Sequence, residues 1–199
     1  MTPIKPEPTG DVESIFKQSG AILEGHFLLT SGLHSPVYWE KFRILEQPRI
    51  AQRLCGMIVA HFKNSSIDVV AGPTTGGIIL AFEAARQMGL RCIFAEKEGE
   101  KRTFRRGFVL NAGERVLVVD DILTTGKSVR EVLSAVSELG GVVAGIGVLV
   151  DRSDRDLGFG YPVMSCLRSV TPAYDPTACP LCVQGLPLVK PGGSGQPAV

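Results

Sequence analysis

The sequence predicts an α/β domain with a central, mainly parallel sheet flanked by helices, and three observations carry that expectation. Apolar runs alternate with helix-period segments: Ile67 to Ala71 then Ile78 to Met88, Cys92 to Ala95, Val116 to Val119 then Val129 to Leu139, and Val142 to Val150. Such alternation reads as strands joined by crossover helices, hence as a parallel sheet. The segment after Gly126 places Val129, Val132, Leu133, Val136 and Leu139 at spacings of three and four, with Arg130, Glu131 and Glu138 between them. That is one apolar helix face laid on a sheet. Finally, two strand ends run into glycine-bearing turns, Gly72-Pro73-Thr74-Thr75-Gly76-Gly77 and Asp120 to Ser128, and ligands of open α/β sheets gather at such edges.

Taken in order, residues 1–10 are rich in Pro, Lys and Glu and predict a disordered tail. Residues 11–189 form one domain, since 199 residues suffice for a single core with appendages. Gly140-Gly141 closes the helix after the second turn and Val142 opens the next strand. Residues 190–199 are Gly-, Pro- and Ser-rich and predict a second disordered tail. A net charge of +1 argues against a nucleic-acid binder, and the absence of a long apolar run argues against a membrane protein. Five scattered cysteines make no disulfide framework, and with no apolar secretory leader the chain is expected to be cytoplasmic.

Chemistry concentrates in Val116 to Val132, VLVVDDILTTGKSVREV. A strand delivers two adjacent carboxylates to the sheet edge, and the following turn sets Thr124, Thr125 and Ser128 at a helix N-terminus, where unpaired N–H groups favour phosphate. A triphosphate P-loop would need glycine at position 121, where Asp121 stands. A dinucleotide fingerprint at Gly72 would need glycine at position 74, where Thr74 stands.

The segment closely resembles the signature of the type I phosphoribosyltransferases, and the likeness extends from about Ile15 to Gly185. The resemblance implies that fold, with a small hood from about 11–45 and 163–189, a core of about 46–162 and a lid of about 96–107. It implies 5-phosphoribosyl 1-diphosphate as donor. Asp120 and Asp121 would serve the ribose hydroxyls and, through water, Mg2+, with no direct protein ligand to that ion. Thr124, Thr125, Gly126, Lys127 and Ser128 would hold the 5-phosphate, and Thr74, Thr75, Gly76 and Gly77 the diphosphate. A non-proline cis peptide is implied within Pro73 to Gly76.

Three further features resemble the orotate-specific members. The run Ser31-Gly32-Leu33-His34-Ser35-Pro36 leading to Tyr38 and Trp39 looks like a hood that covers the base. Arg152, after the strand ending Val148-Leu149-Val150, matches an arginine that grips orotate, and a guanidinium fork suits a planar anionic pyrimidine. Thr124 is carried over to the same base site. The basic stretch Phe94 to Gly107 resembles a mobile catalytic lid that closes over the neighbouring subunit of a homodimer, with Lys97 and Lys101 as the catalytic cations. The chain departs from the pattern at Thr30, Gly76 and Glu96, where relatives often carry cations. The competing readings are a phosphoribosyltransferase for another base and a non-catalytic, donor-sensing regulatory relative. Cys179-Pro180-Leu181-Cys182 supplies half a zinc site, whose remaining ligands would come from Cys166, one of His26, His34 and His61, or a second subunit.

Overall fold

The protein is described by a computed structural model over residues 10–29 and 31–191. The two expected tails lie outside the described residues except for Gly10, Lys190 and Pro191, and so does the departure at Thr30. Among the described residues, no helix is long and apolar enough to cross a membrane.

Helix α1 (Val12–Gln18) starts where the Asp11 carboxylate accepts the Ser14 N–H at 2.8 Å, and buries Ile15 and Phe16. Strands β1 (Ile22–Leu28) and β2 (His34–Trp39) pair antiparallel as a separate two-stranded ribbon, with a register shift between Glu24 and Phe27. A short turn of helix, α2 (Phe42–Leu45), leads to α3 (Pro48–His61), whose first-turn proline gives up an N–H that has no helical partner anyway.

The main sheet then forms in the predicted alternation. Strand β3 (Val69–Pro73) is followed by α4 (Gly76–Met88), strand β4 (Arg91–Glu98), strand β5 (Lys101–Phe104), strand β6 (Arg115–Leu123), helix α5 (Lys127–Glu138), strand β7 (Val142–Asp151) and strand β8 (Val163–Arg168). The spatial order is β5-β4-β3-β6-β7-β8, parallel throughout except for the β4–β5 hairpin. Because β3 and β6 are central and their successors lie on opposite sides, both glycine turns open at the same carboxyl edge.

Side chains alternate across β6, and both faces are dry. Leu117 and Val119 pack with Leu54 and Ile58 of α3, with Phe62 just beyond it and with Leu80, Ala81 and Ala84 of α4, whereas Val116 and Val118 pack with Val129, Val132 and Val136 of α5. The apolar stripe read from the sequence is therefore the face that α5 lays on the sheet.

Two expected boundaries change. Residues 163–168, assigned to the hood, are β8, the edge strand of the main sheet; only the chain beyond it returns to the ribbon. There Val189 bridges Phe27 and Tyr174 bridges His34, followed through a one-turn 3-10 helix (Pro176–Ala178) and α6 (Pro180–Val183). The basic stretch 96–107 is largely a β-hairpin, because its polar residues alternate across two paired strands.

Candidate active site

At the end of β6, Asp120 and Asp121 are both buried. The Asp120 carboxylate accepts the Ser128 hydroxyl at 2.7 Å through Oδ2 and the Asp121 N–H at 2.8 Å through Oδ1. The Asp121 carboxylate accepts the Ile122 N–H at 2.7 Å and pairs with the Lys41 ammonium at 2.7 Å. Burial, reinforced by the neighbouring Asp121 charge, pushes the Asp120 carboxyl up to about 6, against the opposing pull of Ser128, the Asp121 N–H and Lys41. All four carboxylate oxygens thus have one partner each, and both residues line a cavity.

Beyond them, Gly126 (φ 76°) reverses the chain into α5. A side chain there would meet Phe159 at 2.7 Å, so glycine is required on both conformational and steric grounds. The N-cap Gly126 has no side chain to cap α5, and the first N–H, that of Lys127, reaches the Thr125 hydroxyl at 3.4 Å.

Two cavities of about 300 Å³ each meet along Arg102, Ile122, Thr124 and Ser128. The first is lined by Tyr38, Trp39, Lys41, Pro73, Thr74, Asp120 and Asp121 as well. The second adds Lys97, Thr125, Gly126, Lys127 and Glu131. An acidic, aromatic-roofed chamber therefore adjoins a threonine-lined, cationic one.

The β3–α4 turn supplies backbone to this edge. The Thr74–Thr75 peptide is cis, within the span implied by resemblance. Thr74 N–H is held by Ala95 O at 3.1 Å, and the Thr74 hydroxyl accepts the Arg102 guanidinium at 2.9 Å. A Cβ on Gly76 would lie 2.0 Å from Asp121 Oδ2, and one on Gly77 would lie 2.5 Å from Pro73 Cδ. The departure at Gly76 has a local cause: the acidic pair occupies the space a side chain would need, and Lys41 brings a cation to Asp121 from the ribbon side instead.

Lys41, Arg102 and Glu131 are the three charged lining residues outside the set expected from the sequence. Arg102 is the most instructive. In a hairpin, Lys101 and Arg102 face opposite sides, and Arg102 stands opposite Lys97 in register, so Lys97 and Arg102 share the cavity face. Reading 96–107 as a loop hid that alternation. The Arg102 Nε lies 3.1 Å from the Glu131 carboxylate, while the Lys101 ammonium lies 3.5 Å from Glu138, outside the lining of both cavities. Glu96, the lid departure, is held bidentately by Arg106 at 2.8 and 2.9 Å, which draws its carboxyl below the ordinary range.

Of the residues expected at the base, Tyr38 and Trp39 line the first cavity, Trp39 with its ring edge-on to Phe16 at 5.5 Å. Thr124 lies where the cavities join. Arg152 sits beside them: its N–H binds Leu123 O at 2.8 Å, and its buried Nε has no hydrogen-bond partner. Burial lowers its pKa from the ordinary arginine value. Asp151, its sequence neighbour, is engaged by Ser153.

The cysteine pair lies elsewhere, against the ribbon, where Cys179 and Cys182 meet His26 and His34. Cys166 and His61 do not join them. The Cys166 thiol donates to Leu54 O at 3.4 Å and is pushed by burial up to about 12, and the His61 ring packs on Phe62.

Residues 42–167 match the model of the phosphoribosyl transferase domain. The chain is 47% identical over 182 residues to the orotate phosphoribosyltransferase of Desulforamulus reducens, covering 92% of this chain and 95% of the relative. The chain belongs to the orotate phosphoribosyltransferase family. The corresponding protein of Pelotomaculum thermopropionicum is 48% identical over 182 residues, 92% of this chain and 96% of the relative. The crystal structure of orotate phosphoribosyltransferase from Aeropyrum pernix superposes with a TM-score of 0.67 at 27% identity, covering 79% of this chain and 93% of that one. The family match begins at Phe42, so the ribbon that carries Tyr38 and Trp39, and Lys41 just after it, fall outside the domain model but inside the full-length relatives.

Proposed function

We infer that the protein is an orotate phosphoribosyltransferase, moving the phosphoribosyl group of 5-phosphoribosyl 1-diphosphate to N1 of orotate and releasing orotidine 5-phosphate and diphosphate, a step of pyrimidine synthesis. The observation that carries the reading is the adjacent Asp120–Asp121 pair, which faces one joined cavity with an uncapped, threonine-lined helix N-terminus at its other end. Few ligands other than a ribose 5-phosphate call for two carboxylates and a phosphate cradle so close together.

In this reading N1 of orotate attacks C1 of the ribose as the bond from C1 to the diphosphate oxygen breaks. The sugar passes through an oxocarbenium-like state, so positioning and electrostatics supply the catalysis. Asp120 and Asp121 accept the ribose hydroxyls and stabilise its positive character. Thr124, Thr125, Gly126, Lys127 and Ser128 hold the 5-phosphate, and Thr74, Thr75, Gly76 and Gly77 face the diphosphate with backbone. Lys97 and Arg102 stand opposite each other in the hairpin and line the second cavity, where Glu131 pairs with Arg102, and they are the cations assigned to the diphosphate in this reading. Tyr38 and Trp39 cover the base beside Thr124, and Arg152, which lines neither cavity, is assigned to the orotate carboxylate from its place next to the end of β7.

The carboxylate oxygens fit Mg2+ held through water rather than by direct ligation, since each already accepts one hydrogen bond or ion pair and all are hard oxygen donors. When bound with the donor, Mg2+ neutralises charge on the diphosphate.

The enzyme acts as a cytoplasmic homodimer with the lid shared across subunits, binding neither nucleic acid nor membrane. Support for the dimer comes from Ile79 and Phe82, one helical turn apart and exposed on α4, and from Lys101, whose ammonium faces away from its own chain's cavities. Incubating the protein with the donor, Mg2+ and orotate, adenine, hypoxanthine or uracil tests the assignment. Magnesium-dependent formation of orotidine 5-phosphate alone is expected; ribosylation of a purine, or binding of the donor without turnover, would overturn it.

A further inference from the structure

We propose that His26, His34, Cys179 and Cys182 form a tetrahedral zinc site that fastens the C-terminal segment to the β1–β2 ribbon. It is separate from the catalytic edge and does not depend on which base the enzyme uses.

The four ligand atoms all lie within 4.8 Å of one another. The Cys179 and Cys182 sulfurs stand 3.6 and 3.7 Å from His26 Nε2, and Cys182 Sγ stands 3.3 Å from His34 Nδ1. The two imidazole nitrogens are 2.9 Å apart. Zinc bonds of ~2.3 Å to sulfur and ~2.0 Å to nitrogen set tetrahedral edges of about 3.5 Å for S···N and about 3.3 Å for N···N. These four of the six edges lie within about 0.4 Å of those values, and the other two, Cys179 to Cys182 and Cys179 to His34, lie within 4.8 Å.

Ring chemistry points the same way. His26 Nδ1 lies 2.8 Å from Leu186 O. A carbonyl only accepts, so Nδ1 carries the hydrogen and Nε2 turns a lone pair toward the two sulfurs. A backbone carbonyl on the far nitrogen is the usual way a metal-binding imidazole is oriented. Two sulfur and two nitrogen donors in a tetrahedron select zinc over harder cations. Binding releases one proton from each thiol, so the two thiolates neutralise the ion, and a neutral centre suits a site where His26, His34 and Cys179 are buried.

The fold also shows why such a fastening is needed. A two-stranded ribbon is marginal alone, and α6 is a single turn that buries none of its own residues. Backbone bridges hold the segment at His34–Tyr174 and Phe27–Val189, and the cluster sits between them. Strand β2 then runs from His34 at the cluster to Trp39 at the cavity, so the site anchors the strand whose far end roofs the active site.

The test is metal analysis of the full chain purified without chelator, followed by titration of the stripped protein with Zn2+ and Co2+. One zinc per chain is expected, with Co2+ giving the intense visible bands of a tetrahedral thiolate complex. Cys182→Ser should lose both, whereas Cys166→Ser should keep both. Since a variant can lose metal by misfolding, alkylation of the unaltered protein provides the second measurement: Zn2+ should protect Cys179 and Cys182 at least tenfold while leaving Cys92 unchanged. Folded protein that takes up neither ion, cobalt bands that survive Cys182→Ser, or alkylation unaffected by Zn2+ would each overturn the proposal.

Discussion

The two strand-to-helix turns at the active edge do opposite jobs with opposite means. The β6–α5 turn carries its own chemistry: within nine residues, Asp120 to Ser128, it provides two carboxylates, three hydroxyls and a left-handed glycine. The β3–α4 turn has no charged side chain and is charged from outside. Arg102 reaches Thr74 from the β4–β5 hairpin, and Lys41, from beyond the ribbon, stands on Asp121 beside Gly76. The groups proposed for the sugar phosphate are placed by local sequence, whereas the cations proposed for the leaving group are brought in by tertiary contacts.

Substitutions can break this contrast. Asp121→Asn removes a charge while keeping the shape, and turnover should fall about a hundredfold or more, roughly 2.7 kcal/mol of transition-state stabilisation, with little change in thermal midpoint. A parallel collapse in stability would instead make the carboxylate a structural group.

Gly76→Lys restores the cation common in relatives and so would raise activity if that turn simply lacked charge. Activity should fall at least tenfold instead, because the new Cβ enters the space of Asp121 Oδ2 and displaces both the carboxylate and Lys41. Steady-state kinetics with the donor varied would decide between these outcomes.

Lys101→Ala should slow catalysis about tenfold, near 1.4 kcal/mol, although its ammonium lies by Glu138 in its own subunit. If it serves the neighbouring subunit, mixing this variant with Asp121→Asn rebuilds intact sites in hybrid dimers and activity recovers. A mixture no more active than its parts would place the lid over its own chain.

The smallest effect is a shift in pH dependence. Asp120 must be ionised to accept ribose hydroxyls, so kcat/KM for the donor should rise with pH and level off above about 6. Ser128→Ala removes a hydrogen bond that favours the charged form, and the break should move to higher pH by a few tenths of a unit or more. Because the folded-state value lies above the ordinary 3.8, this carboxyl favours folding below that pH, and the contribution is lost as pH rises through about 6. Ligand binding therefore offsets a cost that the empty site bears.

Much of this was legible in one dimension. The alternation of strands and helices, the α5 stripe, the acidic pair and the threonine loop are local patterns, written by residues within one turn or one strand of each other. Period and spacing report such features directly. Sequence alone could name Arg102, Arg105 and Arg106 as cations of the stretch but not choose among them, because the choice depends on the hairpin's facing, and the chain from Glu96 to Gly107 looks like a charged loop unless its pairing is known. Lys41 was hidden because nothing near it in sequence says that it will meet Asp121.

The hood shows the same limit at longer range. Cys179 and Cys182 declare half a metal site by their spacing, but the histidines that complete the cluster lie some 150 residues earlier, and sequence alone left Cys166, His61 and a second subunit equally open. Only folding chooses among them, because the return of the C-terminal segment onto β1 and β2 decides which side chains become neighbours. The sequence by itself determined the sheet, its ligand edge and the phosphate cradle, since these rest on backbone periodicity and short-range turns. Tertiary structure decided which cations line the cavities and which histidines face the thiols, since those depend on contacts between segments whose separation along the chain carries no information about distance in space.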